Sequence, residues 1–573
     1  MCLFECLGLE QAVHMWQKDN ARQLLDELVE KNAFITKDKK TNRYQFHRMF
    51  QDFILGLWEE KETGFRMKYY QRAALWFQMK KDYTTAMGYF YKGRDYDRLL
   101  HALEEDKGHS FHNEHKTELI AYMKDCPEEI RRQHPIAILI FAMCLFTYNE
   151  RELFAEVCEE FGTVLQGDSG LEEDMARELA GELELLLSFT VYNDIVKMKE
   201  YIKKASSYLS RPAMFMDTRG GWTFGSPSVL YMFHREAGQL DTQIERIKEA
   251  IPEYNRLTGG HGKGADLLME AEGYYYRGDY ENAQIMIHKA MHQLKSCEQV
   301  DILLCCIFLQ ARIALIKGDY VGATRVLGEF REDMERHQWY NLIHTLDLCD
   351  TFLQAALRQK DGVPVWIVDG DFETSRIYYP AMAFLNIIYG RVLLVRGEYL
   401  KLLGTAEQFM EIASVFPNLL GQIYTLIYVA AANDNRFRRE EALCALRQAL
   451  LLAKPDRLYL PFVENGDYVS LLLEMVGKES EFREMVAAIL TLFQPYQKSL
   501  EKIKQNYFSK IRPMLSDREM EVARMAAEGF SNCEIGQKLY VSQNTVKTQL
   551  KRVFEKLGIS SRTMLKQYIQ SET

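Results

Sequence analysis

LMEAEGYYYRGDYENAQIMIHKAM, residues 268–291, reads as helix, stop, helix. Aromatic and small residues alternate at helical spacing on both sides of Gly278-Asp279-Tyr280. The glycine suits the left-handed position that ends a helix, and the aspartate suits the N-cap of the next. The pattern returns in LQARIALIKGDYVGATRVLGEF (309–330), with its turn at Gly318-Asp319-Tyr320, and in YGRVLLVRGEYLKLLGTAEQFM (389–410), at Gly397-Glu398-Tyr399. The turns lie 40 and 79 residues apart, one and two steps of a single period. AALWFQMKKDYTTAMGYFYKGRDYDRLL (73–100) repeats the idea at Asp82-Tyr83 and Asp95-Tyr96. Paired helices at this period predict a stack in which each hairpin leaves an apolar face for the next to cover. Ala283 and Ala323 are small enough to let the paired helices approach closely.

The expected fold is therefore mainly α: an α-solenoid of tetratricopeptide-like hairpins over 63–497. Length agrees, since 573 residues exceed what one hydrophobic core supports. With 47% hydrophobic and 27% charged residues the chain is neither a disordered tail nor, at 12 prolines, a turn-dense all-β protein. Eleven scattered cysteines with no C-x-x-C make no disulfide framework and fit reduced core thiols. The first residues lack the basic region of a secretory signal, and the longest apolar run, 136–146, is too short to span a bilayer. A cytoplasmic protein with no membrane partner is expected. The net charge of −10 argues against a general polyanion binder but leaves room for a small basic module.

Several stretches break the repeat. MDTRGGWTFGSPSVLYMFHREAG (216–238) and LTGGHGKGADLL (257–268) are Gly-rich. Neither is a phosphate loop, and no G-x-x-x-x-G-K-[ST] occurs anywhere. They read either as tight turns between helices or as the lining of an effector pocket, with Arg219, Trp222, His234, Arg235 and His261 as polar and stacking groups. At the front, Leu24, Leu25, Leu28 and Val29 predict a helix, AFITKDKKTNRYQFH (33–47) a hairpin, and a second helix starts near Arg48. That outline is winged-helix-like. Acidic Asp19, Asp26, Glu27, Glu30 and Asp52 offset Lys37, Lys39 and Lys40, which favours a structural role over DNA binding. His109, His112 and His115 lack the further ligands of a metal site, and Tyr274–Tyr276 with Tyr280 read as packing knobs. No catalytic constellation is found, so neither enzyme activity, cofactor nor metal is expected.

The last 60 residues are punctuated differently. Ser516-Asp517-Arg518-Glu519 and Ser531-Asn532-Cys533-Glu534 are capping boxes, Gly529 stops the first helix, and Ser542 caps the third. Helix, three-residue joint, helix is a helix-turn-helix. Val546, Leu550, Val553 and Leu557 form a buried stripe, with Val522, Met525, Ile535, Leu539 and Val541 as partners. The opposite face carries Asn544, Lys547, Thr548, Lys551 and Arg552. From Lys538 to Lys566 there are seven basic residues and one acid, so a +6 surface sits on a −16 remainder. Such a face displaces counterions from DNA while the acidic body is repelled.

LSDREMEVARMAAEGFSNCEIGQKLYVSQNTVKTQLKRVFEKLGISSRT closely resembles the LuxR-type helix-turn-helix domain of bacterial transcription regulators. The resemblance implies that Lys547, Thr548 and Lys551 reach base edges in the major groove. It assigns Thr545, Gln549, Arg552 and Lys556 to phosphates, and dimerisation on an inverted-repeat operator to Met564, Leu565, Tyr568 and Ile569. Two positions depart: Cys533 stands where the family often has a basic residue, and Gln549 where it has His. Upstream, CPEEIRRQHPIAILIFAMCLF (126–146), KPDRLYLPFVENG (454–466) and residues 24–55 resemble the large MalT-like regulators. Those resemble signal-transducing ATPases, with a P-loop domain, a winged helix, a superhelical sensor and a LuxR-type reader, but no P-loop occurs here. The expected plan is a winged-helix-like segment (1–62), repeat sensor (63–497), linker (498–513) and DNA-binding domain (514–573). The expected function is a transcription regulator, an activator, that senses a small-molecule or protein effector and binds DNA as a homodimer, with RNA polymerase as a further partner. Two alternatives stand beside it: a fragment of a larger ATPase regulator whose P-loop domain lies upstream, and a solenoid scaffold for protein interactions.

Overall fold

A computed structural model of the chain describes residues 3–4, 6–18, 20–31, 34–38, 41–166, 172–216, 221–295, 299–373, 375–508, 515, 517–539, 541–557, 559, 562 and 565. It is mainly α-helical, with one small sheet. No helix among these residues is long and apolar enough to cross a membrane. The chain forms two compact units: Met1–Val191 with Lys197–Gly220 and Arg256–Gly259, and Tyr192–Val196 with Gly221–Asn255 and Gly260–Thr573.

The first unit contains the expected helix, hairpin and helix, preceded by a helix at Leu9–Trp16. Helix Ala21–Glu30 precedes strands Ile35–Lys37 and Tyr44–Phe46, and helix Arg48–Glu59 follows. The hairpin is antiparallel, pairing Ile35 with Phe46 and Lys37 with Tyr44. Sequence alone missed Cys6–Leu7, which adds a third strand beside Tyr44–Phe46. Leu7, Leu25, Ile35, Tyr44 and Phe46 form its core. Lys37, from the basic turn, donates to Asp26 at 3.1 Å, and so does the Tyr44 hydroxyl at 2.7 Å. Those two hydrogen bonds hold the Asp26 carboxyl below its ordinary value. Lys39 and Lys40 lie outside the described residues.

The repeat turns all take their left-handed stop, and two of the three take the acidic cap, Glu398 making no side-chain cap hydrogen bond. Gly278, Gly318 and Gly397 have φ of 83°, 77° and 77°, the left-handed region. Asp279 accepts from the Asn282 amide at 3.1 Å, and Asp319 from the Gly322 amide at 2.8 Å, each opening the next helix. Asp82 and Asp95 cap in the same way, but there the left-handed residues are Lys81 and Arg94.

Burial separates the two helices of each pair. Val300–Ile316 and Met382–Arg396 are buried almost all round, whereas Tyr280–Leu294 and Tyr320–His337 bury one stripe, such as Ala283, Met286, Ile287, Ala290 and Leu294. A helix apolar on every side needs neighbours on every side, which a stack of hairpins supplies. Tyr275 and Tyr276 are core, as expected; Tyr274 is half-buried. Among the described cysteines only Cys444 and Cys533 are exposed.

The segment read as linker from 498 is helical at first, because helix Arg483–Ile503 continues with Leu500 and Ile503 buried. Lys504–Phe508 follows as a π-helical turn, with Tyr507 and Phe508 packed on Tyr320 at 4.8 and 5.4 Å. Helices end where apolar spacing ends, and that spacing runs to Ile503.

Glu272 sits on buried helix Ala265–Tyr276, its carboxylate accepting from the amides of Val229 (3.1 Å) and Leu230 (2.7 Å). Burial pushes its carboxyl up to about 7, against the opposing pull of Ser228, those amides and the Arg312 charge. The folded state then holds a proton that the unfolded chain, near 4.5, has lost. Stability contributed by this group is present below the unfolded value and falls as pH rises through about 7. Glu272→Gln is expected to flatten the thermal midpoint between about pH 5 and 8, a shift that melting curves across that range would check.

Candidate nucleic-acid interface

Three helices frame the C-terminal site: Asp517–Ala527, Asn532–Leu539 and Gln543–Leu557. Their ends follow the expected punctuation. Gly529 is left-handed (φ 97°), and the Phe530 amide reaches back to the Met525 carbonyl at 3.1 Å, a Schellman end. The second helix has a reciprocal capping box. The Glu534 amide donates to Ser531 Oγ at 3.3 Å while the Ser531 amide donates to the Glu534 carboxylate at 2.7 Å. Those Ser531 hydrogen bonds hold the Glu534 carboxyl below its ordinary range. Ser542 Oγ accepts from the Thr545 amide at 3.1 Å and so starts the third helix. Ser516, of the first expected box, lies outside the described residues.

The core contains Val522, Ile535, Leu539, Val546, Leu550, Val553 and Leu557, the stripe and partners read from the sequence, with Met525 and Val541 packed against it. The joint between the second and third helices depends on Gly536, which sequence reasoning did not single out. The Val541 amide donates to the Gly536 carbonyl at 3.0 Å, and a Cβ on Gly536 would stand 2.8 Å from the Val541 carbonyl oxygen. Only glycine lets the two backbones come this near. Gly536→Ala is expected to destabilise the motif by about 1–3 kcal/mol. Hydrogen exchange on the full chain would then show faster exchange across 532–557.

With the core fixed, one face of the third helix is left to solvent. Lys547, Thr548, Lys551, Arg552 and Thr545 are exposed on it. Thr548 Oγ1 donates to the Asn544 carbonyl at 2.9 Å, and the Thr545 hydroxyl pairs with Ser542 Oγ at 2.8 Å. Gln549 is half-buried, its Oε1 buried without a hydrogen-bond donor. Other basic residues of the segment are engaged within the domain. Lys556 is ion-paired with Glu519 at 2.6 Å, Lys538 lies over the Phe530 ring at 3.6 Å, and Arg562 bonds the Phe530 carbonyl and Asn532. Arg518, also unforeseen, donates to the last carbonyl of the second helix, Leu539, at 2.7 Å. The +6 segment thus divides: some cations hold the domain together, while Lys547, Lys551 and Arg552 stand on the outward face.

Of the residues expected to dimerise, Leu565 is fully buried in the domain's own core. That burial removes it from the surface on which the sequence placed it. Met564, Tyr568 and Ile569 lie outside the described residues.

Three of the residues expected to line an effector pocket are buried. Trp222, His234 and His261 are 8%, 0% and 5% exposed, so they pack the interior of the second unit instead of facing solvent. Trp222 stacks on Phe233 at 5.3 Å, and left-handed Gly262 lies so close beneath it that a Cβ would collide with the indole. His234 Nε2 pairs with Asp456 at 3.0 Å, and His261 Nδ1 with the Tyr254 hydroxyl at 2.9 Å. Asp456 also accepts from the amides of Gly238 (2.7 Å) and Leu240 (3.0 Å). Burial opposes ionisation of that carboxyl, yet these donors hold it below its ordinary value. Arg235 is ion-paired with Asp194 at 2.9 Å, and Arg219 lies outside the described residues.

Comparison with known proteins falls on the same two ends of the chain. A family model described as bacterial regulatory proteins, luxR family, matches residues 513–569, and the MalT winged helix domain matches residues 1–64. The transcriptional regulatory protein LiaR of Bacillus subtilis (strain 168) is 31% identical over 122 residues, covering 20% of this chain and 55% of LiaR. The probable transcriptional regulatory protein NarL of Mycobacterium tuberculosis (strain CDC 1551 / Oshkosh) is 48% identical over 52 residues, 9% of this chain and 24% of NarL. A putative HTH-type transcriptional regulator of Mycobacterium bovis is 45% identical over 51 residues, 9% of this chain and 6% of that protein. The chain thus spans little more than half the length of LiaR and far less of the other two.

Proposed function

From a chain that carries a LuxR-family DNA-binding domain at its C-terminus and a MalT winged helix domain at its N-terminus, we infer a sequence-specific transcription regulator whose repeats sense an effector and whose last helices read an operator. The observation that carries this is the outward face of helix Gln543–Leu557. Lys547 and Lys551 stand four residues apart on it, exposed, above a core that fixes the helix. Lys547, Thr548 and Lys551 reach base edges, with Thr545, Gln549 and Arg552 on the phosphates. Lys556 keeps Glu519 in place and contributes to the phosphates second. Binding is as a homodimer on an inverted repeat, in the cytoplasm, with activation through RNA polymerase. The effector acts by binding unequally to the DNA-competent and incompetent states.

Selection of duplexes from a random pool by the full chain tests this reading. An enriched inverted repeat is the expected result. No enrichment, together with no duplex binding at low salt, would overturn it in favour of a scaffold, because an intact reader binds DNA non-specifically at low salt.

A further inference from the structure

Two arginines and one carboxylate meet inside the repeats of the second unit. Arg312 comes from helix Val300–Ile316, Arg391 from helix Met382–Arg396 and Glu464 from the short helix Leu460–Glu464. They are 1%, 3% and 3% exposed. Both guanidinium groups lie over the ring of Phe352, at 4.9 and 5.4 Å. Glu464 is already engaged at both carboxylate oxygens. One carboxylate oxygen accepts from Arg312 Nη2 (2.8 Å) and the Tyr275 hydroxyl (2.6 Å), the other from the Tyr424 hydroxyl. Arg391 donates instead to the backbone carbonyl of Glu464, at 2.6 Å.

The charges do not balance. Arginine cannot shed its proton in a protein, so two permanent cations share one glutamate. Glu272, the other carboxylate felt by Arg312, titrates near 7 and spends its hydrogen bonds on backbone amides. Arg391 Nε and Nη1 and Arg312 Nε are buried with no acceptor. An unpaired buried guanidinium is strongly unfavourable, and the missing partner has a definite chemistry: an anion with two or more oxygens to accept N–H bonds from a planar fork.

We propose that this interior is a binding site for a small oxyanion, a carboxylate or phosphate group, with Arg391 as its principal ligand and Arg312 as the second. The proposal deepens, and rests on, the reading of the repeats as a sensor. The site has a route to the DNA reader. Helices Val300–Ile316 and Leu460–Glu464 both pack on Arg483–Ile503, the last long helix before the reader. Gly466, two residues beyond Glu464, lies so close to Phe493 of that helix that a Cβ would collide with the ring. A change in the hold on Glu464 is therefore felt by Arg483–Ile503.

The full chain is melted in rising concentrations of sodium phosphate or sodium acetate, with sodium chloride holding ionic strength constant. The expected result is a saturable rise in the repeats' Tm with one oxyanion that chloride does not produce. Phosphate alone raising Tm assigns a phosphoester, and acetate alone a carboxylic acid. Arg391→Met is expected to weaken the apparent affinity by about tenfold or more, with Arg391→Lys retaining part of it. Equal melting in all three salts, or an equal rise in Arg391→Met, would overturn the proposal. Operator affinity measured in the same salts separates the two readings. A saturable Tm rise without a change in operator affinity leaves the site standing and removes its sensing role, whereas operator binding that ignores both oxyanions, with no Tm rise, removes the site alone.

Discussion

Replacing Lys547 and Lys551 together by Ala is expected to lower operator affinity by about 2–6 kcal/mol, roughly one and a half to four decades in Kd. Each lysine is exposed on helix Gln543–Leu557, and neither belongs to the stripe of Val546, Leu550, Val553 and Leu557 that holds the helix. The double variant should therefore fold and melt as the parent does while losing discrimination between operator and random duplex. Arg552→Ala provides the contrast. A phosphate contact carries no sequence information, so its loss weakens all duplexes alike and reduces the salt slope by about one. Salt-titrated gel shifts read both quantities. Unchanged operator affinity in the double variant would remove the assignment of this helix as the reader.

Glu464→Gln is expected to be the most destabilising single change in the repeats, at about 3–5 kcal/mol. It keeps the shape but leaves Arg312, 1% exposed, beside a neutral amide. The hydroxyls of Tyr275 and Tyr424 lose a charged acceptor at the same time. The cost lies in the orphaned cation, so the double variant Arg312→Met with Glu464→Leu should recover much of it. Urea midpoints of the parent, single and double variants check this, and a single variant as stable as the parent would contradict it.

The parts of this protein that were legible in its sequence are those whose causes are local. Gly278 and Asp279, or Ser531 and Glu534, act within a few residues of themselves, so spacing alone reports the left-handed stop and the cap. The stripe from Val546 to Leu557 is legible for the same reason, because helical period is a local property. Strand Cys6–Leu7 was not, since two residues are too few to show a period of two. Long-range partners were also hidden. Lys556 meets Glu519 37 residues away, and Arg312 meets Glu464 152 residues away. The loops around Trp222 and Gly262 were left with two readings for a related reason. A Gly-rich polar loop has the same composition whether it lies on the surface or is folded inward, and only packing decides which.

Asp456 bears on how the repeats come apart. An array in which each hairpin touches only its neighbours unfolds piecemeal from an end, and shortening it trims stability by one repeat at a time. Asp456 binds His234, Gly238 and Leu240 across 222, 218 and 216 residues of intervening chain. Those bonds close one very long loop, so the stretch between them shares a fate. Deleting the chain from Lys454 onward should therefore do more than remove the last hairpins. It should loosen the segment around His234 as well, and make the melting of the array cooperative over a span far longer than its period.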